Sequence, residues 1–168
     1  ELIRRWLNLH PEFSWLPGKF KIAINGAKFD ETALRVHDLG LRLVRNKEGE
    51  LGFTVYVGGG LGAAAMVAAE TASFVPVEDI LSYLESAMRI YNLKGRRDHL
   101  KKLRIKFLVR QLGAEEYSRL VDEDWKQTRD DSELKLNLTQ LSELEKDFAL
   151  PIKPLVLDGF VDKVDFNY

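Results

Sequence analysis

The chain has 168 residues, of which 45% are apolar and 30% charged, a composition that supports one globular core without a metal or disulfide staple. Lys plus Arg number 25 and Asp plus Glu 26, for a net charge of −1, and there is no cysteine at all. That excludes disulfides, zinc–thiolate sites, a catalytic thiol and any iron–sulfur cluster held by this segment alone, and no apolar run approaches the roughly 20 residues of a membrane-spanning helix.

Residues 1–9 predict a short helix with Leu2, Trp6 and Leu9 on one side, and Pro11 and Pro17 punctuate an irregular stretch after it. Phe20 to Ile24 alternates as a strand and stops at the turn signal Asn25-Gly26. Leu39–Val44 and Phe53–Val57 predict two further strands, joined as a hairpin by the turn at 46–49. Gly58-Gly59-Gly60-Leu61-Gly62 then breaks the pattern, and Ala63-Ala64-Ala65-Met66 suggests a close-packed entry into a helix. Pro76 opens the clearest helix, with Val77, Ile80, Leu81, Leu84, Met88 and Tyr91 at helical spacing and Glu78 and Asp79 complementing the dipole of its first turn. Helices come next at about 98–112, stopped by Gly113, and 114–126. Residues 127–139 are loop-like, a short amphipathic helix is predicted at 141–148, and Pro151 and Pro154 introduce an extended tail. This order predicts an α+β fold, a mixed β-sheet covered by α-helices. It divides into a principal segment, 1–126, and a linker, short helix and tail, 127–168.

Charge is uneven along the chain. Residues 1–110 hold 18 basic and 12 acidic groups, a net of +6, whereas 111–168 hold 7 and 14, a net of −7. The densest basic run is Lys94 to Arg110, eight cations with Asp98 as the only acid, interleaved with Leu100, Leu103, Phe107 and Leu108. It suits phosphates or carboxylates, and equally a solvated helix face.

Three sets of residues are candidates for chemistry. The glycine run exposes backbone N–H groups and tolerates φ > 0, which serves an anion cradle or a tight turn, but it lacks the spacing of a dinucleotide fingerprint or a Walker A loop. Lys19 and Lys21, two apart on a strand, place their ammonium groups side by side. Their mutual field should lower at least one pKa, as a proton donor requires; the competing reading is an edge strand carrying protective lysines. His10, His37 and His99 are scattered, with no metal-ligand spacing. His37-Asp38 fits either an oriented imidazole or a satisfied structural histidine. No nucleophile motif and no RNA-binding signature is present.

The ordered set of motifs resembles one family. Leu16-Pro17-Gly18-Lys19-Phe20-Lys21-Ile22 is similar to the Leu-Pro-Arg-Lys-Phe-Lys element of sirohaem-containing nitrite and sulfite reductases. Arg35 to Leu41, Val57 to Gly62 and Tyr91 to Asp98 resemble the family's next segments in order, so the resemblance covers about residues 11–126. It implies reduction of nitrite or sulfite at sirohaem coupled to a [4Fe–4S] cluster, fed by ferredoxin or a flavoprotein. By carry-over, Lys19 and Lys21 face substrate. Gly58, Gly59, Gly60, Leu61 and Gly62 pack on the macrocycle, and Arg97, Lys102 and Lys106, with Lys101, meet its carboxylates. Gly18 stands where the family usually has Arg, Ala63-Ala64-Ala65 replaces a more polar stretch, and the cluster's cysteines belong to a later segment. The chain is thus expected to be the central part of a longer reductase, completed by the remainder of that chain and inactive alone. It is expected to be cytoplasmic, with no signal pattern at the N-terminus and no membrane or nucleic-acid partner. The other classes consistent with the residues are a non-catalytic module binding anions or nucleic acid through 94–110, and a structural repeat of the reductase.

Overall fold

A computed structural model describes residues 2–62, 64–130, 133–136 and 142. The chain divides into two units, Glu1–Asn137 and Leu138–Tyr168, and the first carries the sheet and its helices. The helix expected at 141–148 and the tail with Pro151 and Pro154 lie outside the described residues.

Four strands form one mixed sheet in the order β1 (Ile22–Asn25), β2 (Leu39–Arg45), β3 (Leu51–Val57), β4 (Ala69–Pro76). β1 runs parallel to β2, with Ile22 opposite Leu39, and β2 and β3 form the expected antiparallel hairpin. Its turn closes where Gly49 N–H donates to the Asn46 carbonyl, with Gly49 in the left-handed region at φ 85°. β4 then pairs antiparallel with β3 across register shifts near Val55.

β4 corrects the expected helical entry after the glycine run. Its sequence, Ala-Glu-Thr-Ala-Ser-Phe-Val-Pro, buries only Thr71 and Val75, because the bulge breaks the period-two alternation that marks a strand. The first strand is also shorter than the alternation suggested, so Lys19 and Lys21 lead into β1 rather than lie within it.

Helix α1 (Leu2–Leu9) lies at the start of the chain, and α2 (Ile80–Lys94), α3 (Ile105–Leu112) and α4 (Ala114–Thr128) form the helical layer. A 3-10 turn over Val77–Asp79 precedes α2, which is buried along almost its whole length, from Ile80 to Tyr91 except Arg89. It packs between the sheet residues Leu39, Leu41, Val55 and Val57 and the residues Tyr117 and Val121 of α4. Tyr117 is fully buried and its hydroxyl donates to the Ala87 carbonyl at 2.7 Å, locking α4 to α2. Arg89 spans three carboxylates, Glu12, Glu85 and Asp124, and so ties the N-terminal segment to α2 and α4.

The single helix expected over 98–112 is broken. Residues Leu100–Lys102 form a 3-10 turn and α3 begins only at Ile105. The break has two causes. The Tyr91 hydroxyl captures the Leu103 carbonyl at 2.9 Å, and Arg104, in extended backbone at ψ 150°, turns its side chain toward the sheet. Gly113, at φ 86°, separates α3 from α4 as expected.

Candidate functional site

Asp38 gathers three separate stretches of chain. It sits just before β2 and is fully buried. Its carboxylate accepts two bonds from Arg104, Nε to Oδ1 at 3.0 Å and Nη2 to Oδ2 at 2.8 Å, the fork geometry of a bidentate pair. The backbone N–H of Lys21 donates to Oδ2 at 3.0 Å, and the Asp38 carbonyl accepts the N–H of Gly58 at 2.9 Å. One residue therefore joins the lysine segment, the glycine run and the basic segment.

The glycine run needs its glycines because other chain lies against it. A Cβ on Gly59 would collide with the carbonyl oxygens of Arg35 and His37, the latter at 2.5 Å. A Cβ on Gly58, itself at φ 92°, would lie 3.1 Å from both methyl groups of Val109. Beyond them the loop closes on itself, with Gly60 and Met66 exchanging backbone hydrogen bonds at 2.9 and 2.8 Å. Leu61 at the tip is 65% exposed.

Lys106 fastens that tip. It projects from α3, is buried, and donates to the carbonyls of Leu61 at 3.1 Å and Ala64 at 2.7 Å. Burial, and then the neighbouring Arg104, hold its pKa below the ordinary lysine value, against the opposing pull of Asp38. A hollow of about 390 Å³ opens here, with Leu61 and Ala64 on one side and Lys101, Lys102, Arg104 and Lys106 on the other. Among the described residues, no acid lines it. Lys101 and Lys102 are exposed and make no ion pair among the described residues.

The expected site residues fall into three groups. Leu61, Lys102 and Lys106 line this hollow and Gly60 lies against Arg104 and Lys106, whereas Gly58 and Gly59 are buried against Val109 and the backbone of residues 35–37 and Gly62 does not line it. Lys19 and Lys21 connect to Asp38 through the Lys21 backbone N–H and are not among the residues that line the hollow. Both are exposed, while Phe20 between them turns inward to stack on Tyr91 at 5.6 Å, so the alternation expected of a strand survives in the approach to β1. Arg97 is already engaged: it donates to the carbonyls of Trp15 and Asn92 and to the Asn92 side chain, pinning residues 15–17 beside the end of α2. Gly18 fits that close approach, since a Cβ there would lie 2.9 Å from the Cβ of Leu103.

His37 does not pair with Asp38; its Nδ1 faces the Ala33 carbonyl at 3.0 Å. His99 accepts the Lys101 N–H and starts the 3-10 turn, and His10 stacks on Phe13. Among the described residues no three His, Asp or Glu side chains cluster as metal ligands. The residues that sequence reasoning missed are Asp38 and Arg104. Their signal was faint: a lone acid beside an apolar strand, and one cation among eight.

The family model described as the nitrite and sulphite reductase 4Fe-4S domain matches residues 1–129. The sulfite reductase (ferredoxin) 1 of Mycolicibacterium paratuberculosis is 30% identical over 125 residues, which is 74% of this chain and 22% of that protein. The sulfite reductase (NADPH) hemoprotein beta-component of Leptospira biflexa is 33% identical over 114 residues, 64% of this chain and 20% of that protein. The solved structure of the Mycobacterium tuberculosis NirA protein shares the fold at a TM-score of 0.66 and 24% identity, over 74% of this chain and 23% of that one. The chain thus spans about a fifth of the length of the curated relatives it matches. With the family model matched over three quarters of its length, the chain belongs to the nitrite and sulphite reductase 4Fe-4S domain family.

Proposed function

We propose that this chain forms one wall of a sirohaem and oxyanion site within a longer nitrite or sulfite reductase. The observation that carries the reading is the cation-rich, acid-free hollow beside the glycine loop, tied through Asp38 to the segment bearing Lys19 and Lys21. Sirohaem is a polycarboxylate, and a hollow lined by Lys101, Lys102, Arg104 and Lys106 suits its rim. Gly58 and Gly59 are buried against Val109 and the backbone of residues 35–37 and so hold the loop in place, which leaves its exposed tip at Leu61 to meet the ring. Lys101 and Lys102 are the cations available to carboxylates, since Arg104 is matched by Asp38 and Lys106 already gives two of its three protons to carbonyls. Arg97, engaged with Trp15 and Asn92, would contribute through position more than through direct contact.

The fit does not extend to the cluster. The chain has no cysteine, so the thiolates of a [4Fe–4S] centre would come from the remainder of the reductase, as would the docking of ferredoxin or a flavoprotein.

Sirohaem, when bound, would supply the iron at which the oxyanion accepts electrons. Lys19 and Lys21 would supply the rest. Their charge attracts nitrite or sulfite, and it opposes the negative charge that accumulates as electrons arrive. Their ammonium protons pass to substrate oxygens that leave as water. Both lysines are exposed and have no carboxylate partner among the described residues, which leaves their charge available to an anion.

The test is Lys19→Ala and Lys21→Ala in a complete reductase carrying this chain. Turnover of nitrite and sulfite should fall by about 10²-fold or more for each variant, with the haem absorption spectrum unchanged. Parental rates in both variants would remove the lysines from the chemistry. A lost spectrum would make them cofactor ligands instead.

A further inference from the structure

We infer that Asn25 is a deamidation site that the fold holds shut, and that its conversion to aspartate unlatches the loop over residues 26–33 from the sheet. The site is independent of the reductase reading. Asn25 is the last residue of β1 and, alone among the asparagines of this chain, precedes a glycine. Gly26 has no side chain to shield its backbone nitrogen from the Asn25 carboxamide, which leaves that nitrogen free to attack. The nitrogen bonds to Cγ as the Cγ–Nδ2 bond breaks, and Nδ2 leaves as ammonia with the Gly26 proton. Water then opens the cyclic imide, giving aspartate or isoaspartate according to which C–N bond it breaks.

The folded chain opposes the first step. Asn25 is 3% exposed. Its Nδ2 donates to the Phe29 carbonyl at 2.7 Å and to the Ala27 carbonyl at 3.3 Å, and its Oδ1 accepts the Ala27 N–H at 3.4 Å. Nδ2 can depart only when both of its bonds are given up and water reaches the carboxamide. The loop that must lift is itself exposed at 26–31 and 33, with Phe29 turned to solvent, so opening it costs little packing. The product cannot close it again. An aspartate at this position accepts but does not donate, and it sets a buried charge against the same two carbonyl oxygens. Further along, the Asp30 carboxylate accepts the Leu34 N–H at 3.0 Å, and the carbonyls of Arg35 and His37 wall Gly59. Conversion of Asn25 therefore loosens the chain that backs the glycine run.

The test ages the full 168-residue chain in neutral buffer, folded and in urea, and follows the tryptic peptide 22–28 by mass spectrometry, with chromatography that separates its aspartate and isoaspartate forms. In urea, Asn25 should convert faster than Asn92, which precedes a leucine. In the folded chain Asn25 should convert more slowly than in urea, by about tenfold or more. Asp30→Ala, which removes the loop's bonds to Thr32 and Leu34, should speed conversion in the folded chain severalfold. Gly26→Ala, whose methyl would meet only Leu43 at 3.7 Å, should keep the fold and slow conversion in urea severalfold. Asn25→Asp should melt lower by about 5 °C or more, and a parent chain aged to partial conversion should show the same lower transition. No conversion at Asn25 in urea would remove the site. Equal rates in the folded and unfolded chain would remove the gate. An unshifted Tm in both Asn25→Asp and the aged chain would mean that Asn25 does not latch the loop.

Discussion

Asp38→Asn tests the joint on which the site is built. The substitution keeps the shape and removes the charge. Arg104 then loses its counter-charge, and the amide directs an N–H₂ group at donors that previously met oxygen. Breaking a buried ion pair by removing one partner costs about 3–5 kcal/mol. Asp38 is fully buried, but the Arg104 side chain is 27% exposed and water relieves part of the loss. The lost bond from Lys21 N–H adds to it, so about 3 kcal/mol is the expected destabilisation. For a folded unit of this size that lowers Tm by about 10 °C. Urea unfolding followed by circular dichroism gives the free energy directly. A double-mutant cycle with Arg104→Met should return a coupling of about 1.5–3 kcal/mol. Destabilisation below about 0.5 kcal/mol, or a coupling near zero, would mean that Asp38 does not join the three segments.

Two further outcomes rest on the same geometry. Gly59→Ala should destabilise by about 2 kcal/mol or more in urea unfolding, since the new methyl meets two backbone carbonyls that cannot swing away; a neutral variant would mean that the loop sits further from residues 35–37. Tyr91 has its pKa pushed up to about 12 by burial and by the Asp38 charge. The folded state therefore holds this proton more tightly than the unfolded chain does. The stability it contributes is complete below about pH 10 and is lost as pH rises from there to about 12. Tyr91→Phe should flatten that alkaline loss, measured as unfolding free energy against pH, and remove one late step from the tyrosinate absorbance titration; an unchanged slope would show that Tyr91 titrates as an exposed phenol.

The sheet and its helices were legible where one period dominated. The β2–β3 hairpin carried alternating apolar residues around an Asn-to-Gly turn, and α2 carried an apolar face with acids at its start. β4 was hidden because its bulge erases alternation and its alanines and serine have little β preference. The split of 98–112 was hidden for a different reason. Leu100, Leu103 and Phe107 keep helical spacing, and the bonds that end the helix, from the Tyr91 hydroxyl to the Leu103 carbonyl and from Arg104 to Asp38, are both tertiary. The site was half readable. Glycines and lysines declare themselves by type, but Asp38 acquires its role from partners 17 and 66 residues away. No local pattern encodes those distances.

The cations beside the glycine loop are proposed to receive the carboxylates of a tetrapyrrole, and the rest of the functional reading depends on that. Titrating the full chain with sirohaem, followed by the shift of its absorption band, tests this most directly. Binding should be saturable and should weaken with salt, by about tenfold in Lys102→Glu and hardly at all in Lys47→Glu. Equal affinity in the parent chain and Lys102→Glu, or equal losses in both variants, would contradict it.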